Sequence, residues 1–131
     1  MDGTVTRLRA VIAATLLACT SLSWALPARA ESNDASQQEI AALLSFVAHS
    51  SCTFVRNGTA YPAAQAESHL EDKLHYLQGK GKVHSAEDFI QLAATESSMS
   101  GKPYLVRCDS KERPSADWLN EELQRLRHAG S

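Results

Sequence analysis

The sequence predicts a mostly helical α+β fold, with about four helices and a two-stranded antiparallel β ribbon in the order α-β-α-α-β-α. Three observations predict it. Four segments carry apolar residues at helical spacing. Two short runs, 52–56 and 104–108, are rich in β-branched and aromatic residues. Each of those runs holds one cysteine, Cys52 or Cys108, so a single disulfide would pin one strand to the other.

The chain opens on a segment that reads as an export leader. Residues 1–9 carry Arg7 and Arg9 beside Asp2, and residues 10–25 are uncharged and apolar. Pro27 then breaks the run, and Ala28 and Ala30 stand three and one positions before a cut between Ala30 and Glu31. The apolar run is about 16 residues, short of the roughly 20 that a spanning helix needs. The expectation is a cleaved Sec-type signal over 1–30 and one mature domain over 31–131, with an ordered core at about 36–127 and no transmembrane segment. Lipidation at Cys19, after Leu16-Leu17-Ala18, is the alternative; Leu17 is bulky for that motif.

The elements of the mature domain follow in order. Ser36 and Glu39 form a capping box before Ile40, Leu43, Leu44 and Val47, predicting a helix over 37–49. In the run 52–56, Cys52, Phe54 and Arg56 share one face and Thr53 and Val55 the other. Asn57-Gly58 is a turn. Pro62 suits the first turn of a second helix, whose stripe is Ala63, Ala66, Leu70, Leu74 and Leu77. Gly79 and Gly81 end it, and Lys80 and Lys82 oppose the negative pole of its dipole. Ser85 caps a third helix carrying Phe89, Ile90, Leu92 and Ala93 and ending near Thr95. A polar loop over 97–101 leads to the second strand, 104–108, and then to a charged turn over 109–114. Ser115 caps a last helix with Trp118, Leu119, Leu123 and Leu126. No internal repeat is visible. Two strands do not stand alone in water, so the ribbon must lie on the helices.

Composition excludes several functions. The full chain has 13 Lys+Arg against 15 Asp+Glu. Cleavage removes Arg7, Arg9, Arg29 and Asp2, leaving 10 against 14, a net charge of −4. No basic surface remains for nucleic acid. Cleavage also removes Cys19, so Cys52 and Cys108 are the remaining pair. No C-x-x-C or close Cys/His pair suggests a redox or zinc role for them.

Two segments are candidate binding surfaces. The first is Arg56 and Asn57 together with His69 and Lys73. His69, Lys73 and Tyr76 stand at i, i+4 and i+7 beside the leucine stripe, and a neighbouring Arg56 would complete a cationic groove edge for a carboxylate or phosphate. The alternative is that Lys73 and Tyr76 snorkel and His69 is structural. The second is Ser97 to Tyr104, in which Ser98, Ser100, Gly101 and Lys102 would form a nest of donors for an anion; a local turn is the plainer reading. Neither G-x-S-x-G nor S-x-x-K is present to support a serine nucleophile. His69 and His75 are six apart and point to different sides, so neither a metal nor a cofactor is expected.

Phe54-Val55-Arg56-Asn57-Gly58, Ala66 and His69-Leu70 with Lys73, Phe89-Ile90, Ser97-Ser98-x-Ser100-Gly101-Lys102-Pro103-Tyr104 and Trp118-Leu119 resemble the YfeK-like family of small exported bacterial proteins, a domain of unknown function. The resemblance spans about 52–123. It implies the Gram-negative periplasm and no established activity. Ser98-x-Ser100-Gly101-x-x-Tyr104 is also similar to the loop that periplasmic lysozyme inhibitors insert into their target, although those proteins are β-barrels.

The expected function is therefore a non-enzymatic periplasmic binding or interaction module, with an envelope protein or a small anionic ligand as partner. One alternative is an inhibitor of a lysozyme-like or other peptidoglycan hydrolase. Another is a small hydrolase using His69 or a loop serine.

Overall fold

The structure, a computed structural model, describes residues 28–131. Residues 1–27 of the expected leader, with Cys19 and its lipidation alternative, lie outside the described residues. The elements are α1 (Ala28–His49), β1 (Thr53–Arg56), β2 (Thr59–Pro62), α2 (Ala63–Gly79), α3 (Ala86–Ala93), β3 (Leu105–Cys108), β4 (Lys111–Pro114) and α4 (Ser115–Ala129). Four helices, an antiparallel sheet and the Cys52–Cys108 disulfide make this the α+β fold that the patterning predicts. No described helix is long and apolar enough to cross a membrane.

The ribbon is larger than expected. β1 pairs with β3, antiparallel, through Thr53↔Arg107, Phe54↔Val106 and Val55↔Leu105. Each of them also pairs with the strand that follows it, giving one sheet in the order β2-β1-β3-β4. Thr59–Pro62, of which only Pro62 was assigned, to a helix start, and Lys111–Pro114, within the stretch read as a charged turn, thus supply the two edge strands. Their hairpins close through two-residue turns with positive φ: Asn57 (51°) and Gly58 (78°), then Asp109 (49°) and Ser110 (68°). Each edge strand is four residues long and ends in proline, which suits an unpaired edge.

The topology also contains a repeat that the side chains conceal. β1-β2-α2 and β3-β4-α4 are ββα units of matching layout, and every starting boundary in the second lies 52 residues after its counterpart: Thr53 and Leu105, Thr59 and Lys111, Ala63 and Ser115. Phe54 and Val106 are counterparts and also direct partners across the central strand pair, so the register is symmetric about them. Both are buried and face the helices. α2 and α4 lie on the sheet, and α1 and α3 pack against those two helices and each other. Ile40, Leu43, Val47, Phe89, Ile90, Leu119 and Leu123 fill the centre at 0–2 % exposure.

Local signals fix most of the helix ends. Ser85 Oγ accepts from Asp88 N–H at 3.0 Å, as its cap signature predicts. At the end of α2, Gly81 N–H reaches Gln78 O and Lys82 N–H reaches Leu77 O, with Gly81 at φ +64°; this is the Schellman stop. Ser85→Ala is expected to lower stability by about 1 kcal/mol, read as a lower urea midpoint at unchanged slope.

Two boundaries and one facing differ from expectation. α1 starts at Ala28 because no Gly or Pro interrupts residues 28–49, so Ser36 lies inside the helix and donates to His84 O at 3.3 Å instead of capping. Ser115 is the first helical residue of α4, with Pro114 at the N-cap. Within α3, Leu92 faces outward, while Ala93 and, just past the helix, Ala94 are buried. Arg127 on α4 ties α1 to α3, bonding Glu39 at 2.8 Å and Glu87 at 2.5 Å. Its hydrogen bond holds the Glu87 carboxyl below the usual range, but the pair is too solvated to add much stability.

Candidate functional site

A cavity of about 350 Å³ opens between the β1–β2 hairpin, α2, the loop after α3 and the start of α4. Its walls are Val47, Phe54, Ala66, Leu70, Ala94 and Leu119. Arg56, His69, Lys73, Tyr76, Ser98 and Tyr104 also line it, together with Tyr61 and Met99. The volume lies at the lower end of the range for small-ligand pockets, about 300–1,000 Å³.

The repeat explains why the cavity exists on this side. Trp118 is the counterpart of Ala66. It stacks on Phe46 of α1, ring centroids 4.3 Å apart, and meets the edge of Phe54 at 5.6 Å. A large side chain thus fills the space between α4 and its neighbours, while the methyl of Ala66 leaves the corresponding region beside α2 open. Charges differ in the same way. In the second unit Arg125 pairs with the buried Glu122 at 2.5 Å. The counterparts are Lys73 and Leu70, so here the acid is replaced by an apolar wall.

Lys73 and Arg56 therefore meet the cavity without a carboxylate in ion-pair range among the described residues. Lys73 Nζ donates to Glu96 O at 2.8 Å and lies 3.5 Å from Tyr104 Oη and 5.1 Å from that ring's centre. Burial pushes the Lys73 ammonium pKa down; Glu96 opposes this and Arg56 adds to it. Burial likewise pushes the Tyr104 phenol up, and Arg56 opposes that. One α2 face and the end of β1 thus bring together Arg56, His69, Lys73 and Tyr76, the groove edge expected from their spacing.

The second segment behaves differently. Asn57, at the hairpin turn, donates through Nδ2 to Ser97 Oγ at 3.2 Å and accepts from Ser100 Oγ. Loop 97–102 is thus clamped to a turn some forty positions earlier in the chain. Within it Ser97 N–H bonds Lys102 O, Gly101 N–H bonds Ser97 O, and Met99 and Lys102 N–H reach Ser97 and Ser100 Oγ. These four amides are spent on the loop itself, and Gly101 takes the φ of +70° that its turn requires, so the segment forms a local turn. Lys102 lines a second depression, on the opposite face of the sheet, with Val55, Leu105, Arg107 and Glu112. That depression is larger, about 470 Å³, but has few apolar walls and an Arg107–Glu112 ion pair across it, so it is the weaker candidate.

His69 packs edge-on against Tyr61 at 5.2 Å, and no hydrogen bond joins it to Ser98 or Ser100. A Ser–His pair is therefore not assembled. Among the described residues no group of three His, Cys, Asp or Glu could hold a metal. Buried Ser115 Oγ, also at the cavity, has no hydrogen-bond partner among them. Tyr61 escaped sequence reasoning, and Ala66 was read as part of the α2 stripe rather than as a cavity wall. The Asn-Gly pair flanked by short alternating runs was the signal for the hairpin that places Tyr61.

A family described as a family of unknown function (DUF5329) matches residues 34–127. The chain belongs to this family. Among its relatives is the uncharacterized protein YfeK of Salmonella typhimurium, 40 % identical over 88 residues, covering 66 % of this chain and 72 % of the relative. No solved structure matches the chain. The family match contains every residue that lines the cavity, from Val47 to Leu119. Neither description carries an activity, so the chemistry of the site rests on its own geometry.

Proposed function

We propose that this family member is an exported, non-catalytic binding module of the bacterial envelope whose cavity takes a small amphipathic anion. The observation that carries the reading is the pairing of an apolar cavity with Arg56 and Lys73, two cations with no carboxylate in ion-pair range among the described residues. The apolar body of the ligand lies along Phe54, Leu70, Ala94 and Leu119, and its carboxylate or phosphate meets Arg56. The Arg7/Arg9 leader, the Ala28-Arg29-Ala30 cleavage pattern and the disulfide support export to the periplasm.

Titration of the purified protein with hexanoate, octanoate and hexylammonium tests it. The acids are expected to bind saturably and hexylammonium not to bind. Arg56→Gln should weaken acid binding about ten-fold or more, the effect of losing a charge-assisted hydrogen bond. Ala66→Phe should fill the cavity as Trp118 fills its counterpart and abolish binding in a folded protein. Equal binding of hexylammonium, or full binding by the Ala66→Phe variant, would overturn the reading.

A second reading, inhibition of a lysozyme-like or other peptidoglycan hydrolase through the Ser-Gly loop, draws on one observation. Met99 is 89 % exposed at the tip of a loop held stiff by Asn57. Loss of lysozyme inhibition on Met99→Asp substitution would support it; absence of inhibition by the wild type would remove it.

A further inference from the structure

We propose that Lys73 captures the carbonyl carbon of an oxo acid in this cavity as a reversible imine, with Arg56 holding the carboxylate. The inference rests on the amphipathic-anion reading and names the ligand class more closely.

Four features of the site point to it. The Lys73 amine is half-buried at an apolar cavity, which disfavours its ammonium form. Arg56 disfavours that form further, against the Glu96 carboxylate, which favours it. An amine that is desolvated and set beside another cation is the arrangement in which lysine becomes a nucleophile near neutral pH. The acid that neutralises the counterpart Arg125 is absent, because Leu70 stands where the second unit has Glu122. Finally, the Tyr104 phenol lies 3.5 Å from Nζ and keeps its proton to high pH, which makes it a proton donor beside the amine.

The step balances without a further reactant. The neutral Nζ attacks the carbonyl carbon, and one of its two protons passes to the carbonyl oxygen to give a neutral carbinolamine. The C–O bond then breaks, with Tyr104 Oη protonating the departing hydroxide, and water leaves. The nitrogen retains a C=N bond, and loss of its remaining proton restores the phenol. Hydrolysis reverses each step, so the ligand is released unchanged. The Arg56 site favours acids over neutral carbonyl compounds.

Reductive trapping tests this. The purified protein is incubated at pH 7 with 2-oxohexanoate and sodium cyanoborohydride, and adducts are located by peptide mass mapping. Lys73 is expected to label at least ten-fold faster than the exposed Lys80, Lys82, Lys102 and Lys111, and excess hexanoate should protect it. Lys73→Arg should remove the fast adduct. Arg56→Gln should slow labelling by 2-oxohexanoate much more than labelling by hexanal. Protection by hexanoate is read on the wild type, so the test survives if a variant fails to fold. Labelling of Lys73 no faster than Lys102 overturns the proposal. If hexanoate still binds in that case, the covalent step alone fails; if hexanoate does not bind, the reading beneath it fails as well.

Discussion

Replacing both Cys52 and Cys108 by alanine is expected to lower the stability of the domain by about 4 kcal/mol, the chain-entropy value for a loop of this length. The two cysteines are 56 positions apart, with Cα atoms 4.6 Å from each other. They flank the central strand pair one step beyond Thr53↔Arg107, so the bridge joins one ββα hairpin to the other. Both are half-buried against the core. A domain of this size has a total stability of roughly 5–15 kcal/mol, so the loss removes a large share of it. The melting temperature should fall by about 15–30 °C. Denaturant titration of oxidised wild type, reduced wild type and the double variant measures the effect. Reduced wild type and double variant should agree, because the entropy of the open unfolded chain is common to both. A loss below about 1 kcal/mol in both would show that the link is not what holds the hairpins together.

Phe89→Ala is the second large effect, a loss of about 3–5 kcal/mol. Phe89 is 0 % exposed on the short helix α3, which packs against α1, α2 and α4 at once. A cavity left there borders three helices that are held by other contacts and do not collapse into it. α3 also leads into Ala94 and the clamped loop at the cavity, so the affinity for the proposed ligand should fall along with stability. Leu92→Ala on the same helix is the control. Leu92 is 38 % exposed, and its removal should cost about 0.5 kcal/mol or less. Comparable losses for Phe89 and Leu92 would contradict this assignment of the core. Chemical denaturation with amide exchange on α3 separates the two cases.

The features that were legible in the sequence are those made by neighbours along the chain. The stripe Ala66, Leu70, Leu74, Leu77 repeats at 3.6 residues and is buried as written. Ser85 and Gly81 end helices through bonds that span a few residues. The edge formed by His69, Lys73 and Tyr76 follows from helical spacing, and the two cysteines beyond the expected leader pointed to one bridge. In the segment 59–62 a legible signal was passed over, since Asn57-Gly58 also encodes a tight hairpin turn. The charged residues Lys111, Glu112 and Arg113 concealed the other edge strand, because an edge strand needs no apolar pattern.

The sequence by itself determined the helical faces, most caps, the disulfide pair and the residue types available at one α2 edge. The pairing of β1 with β3 was legible too; only the tertiary structure decided that two edge strands flank that pair, that Asn57 clamps a loop forty residues away, and that Arg56, Lys73 and Tyr104 converge on one cavity. It alone disclosed the two ββα units, whose counterparts Ala66 and Trp118 share no chemistry and differ in whether they leave space or fill it. The physical reason is range. Caps and helix stripes are set by contacts a few residues apart, which each local stretch encodes alone. Strand pairing and cavities arise where several elements pack together, so their geometry belongs to all of those elements jointly.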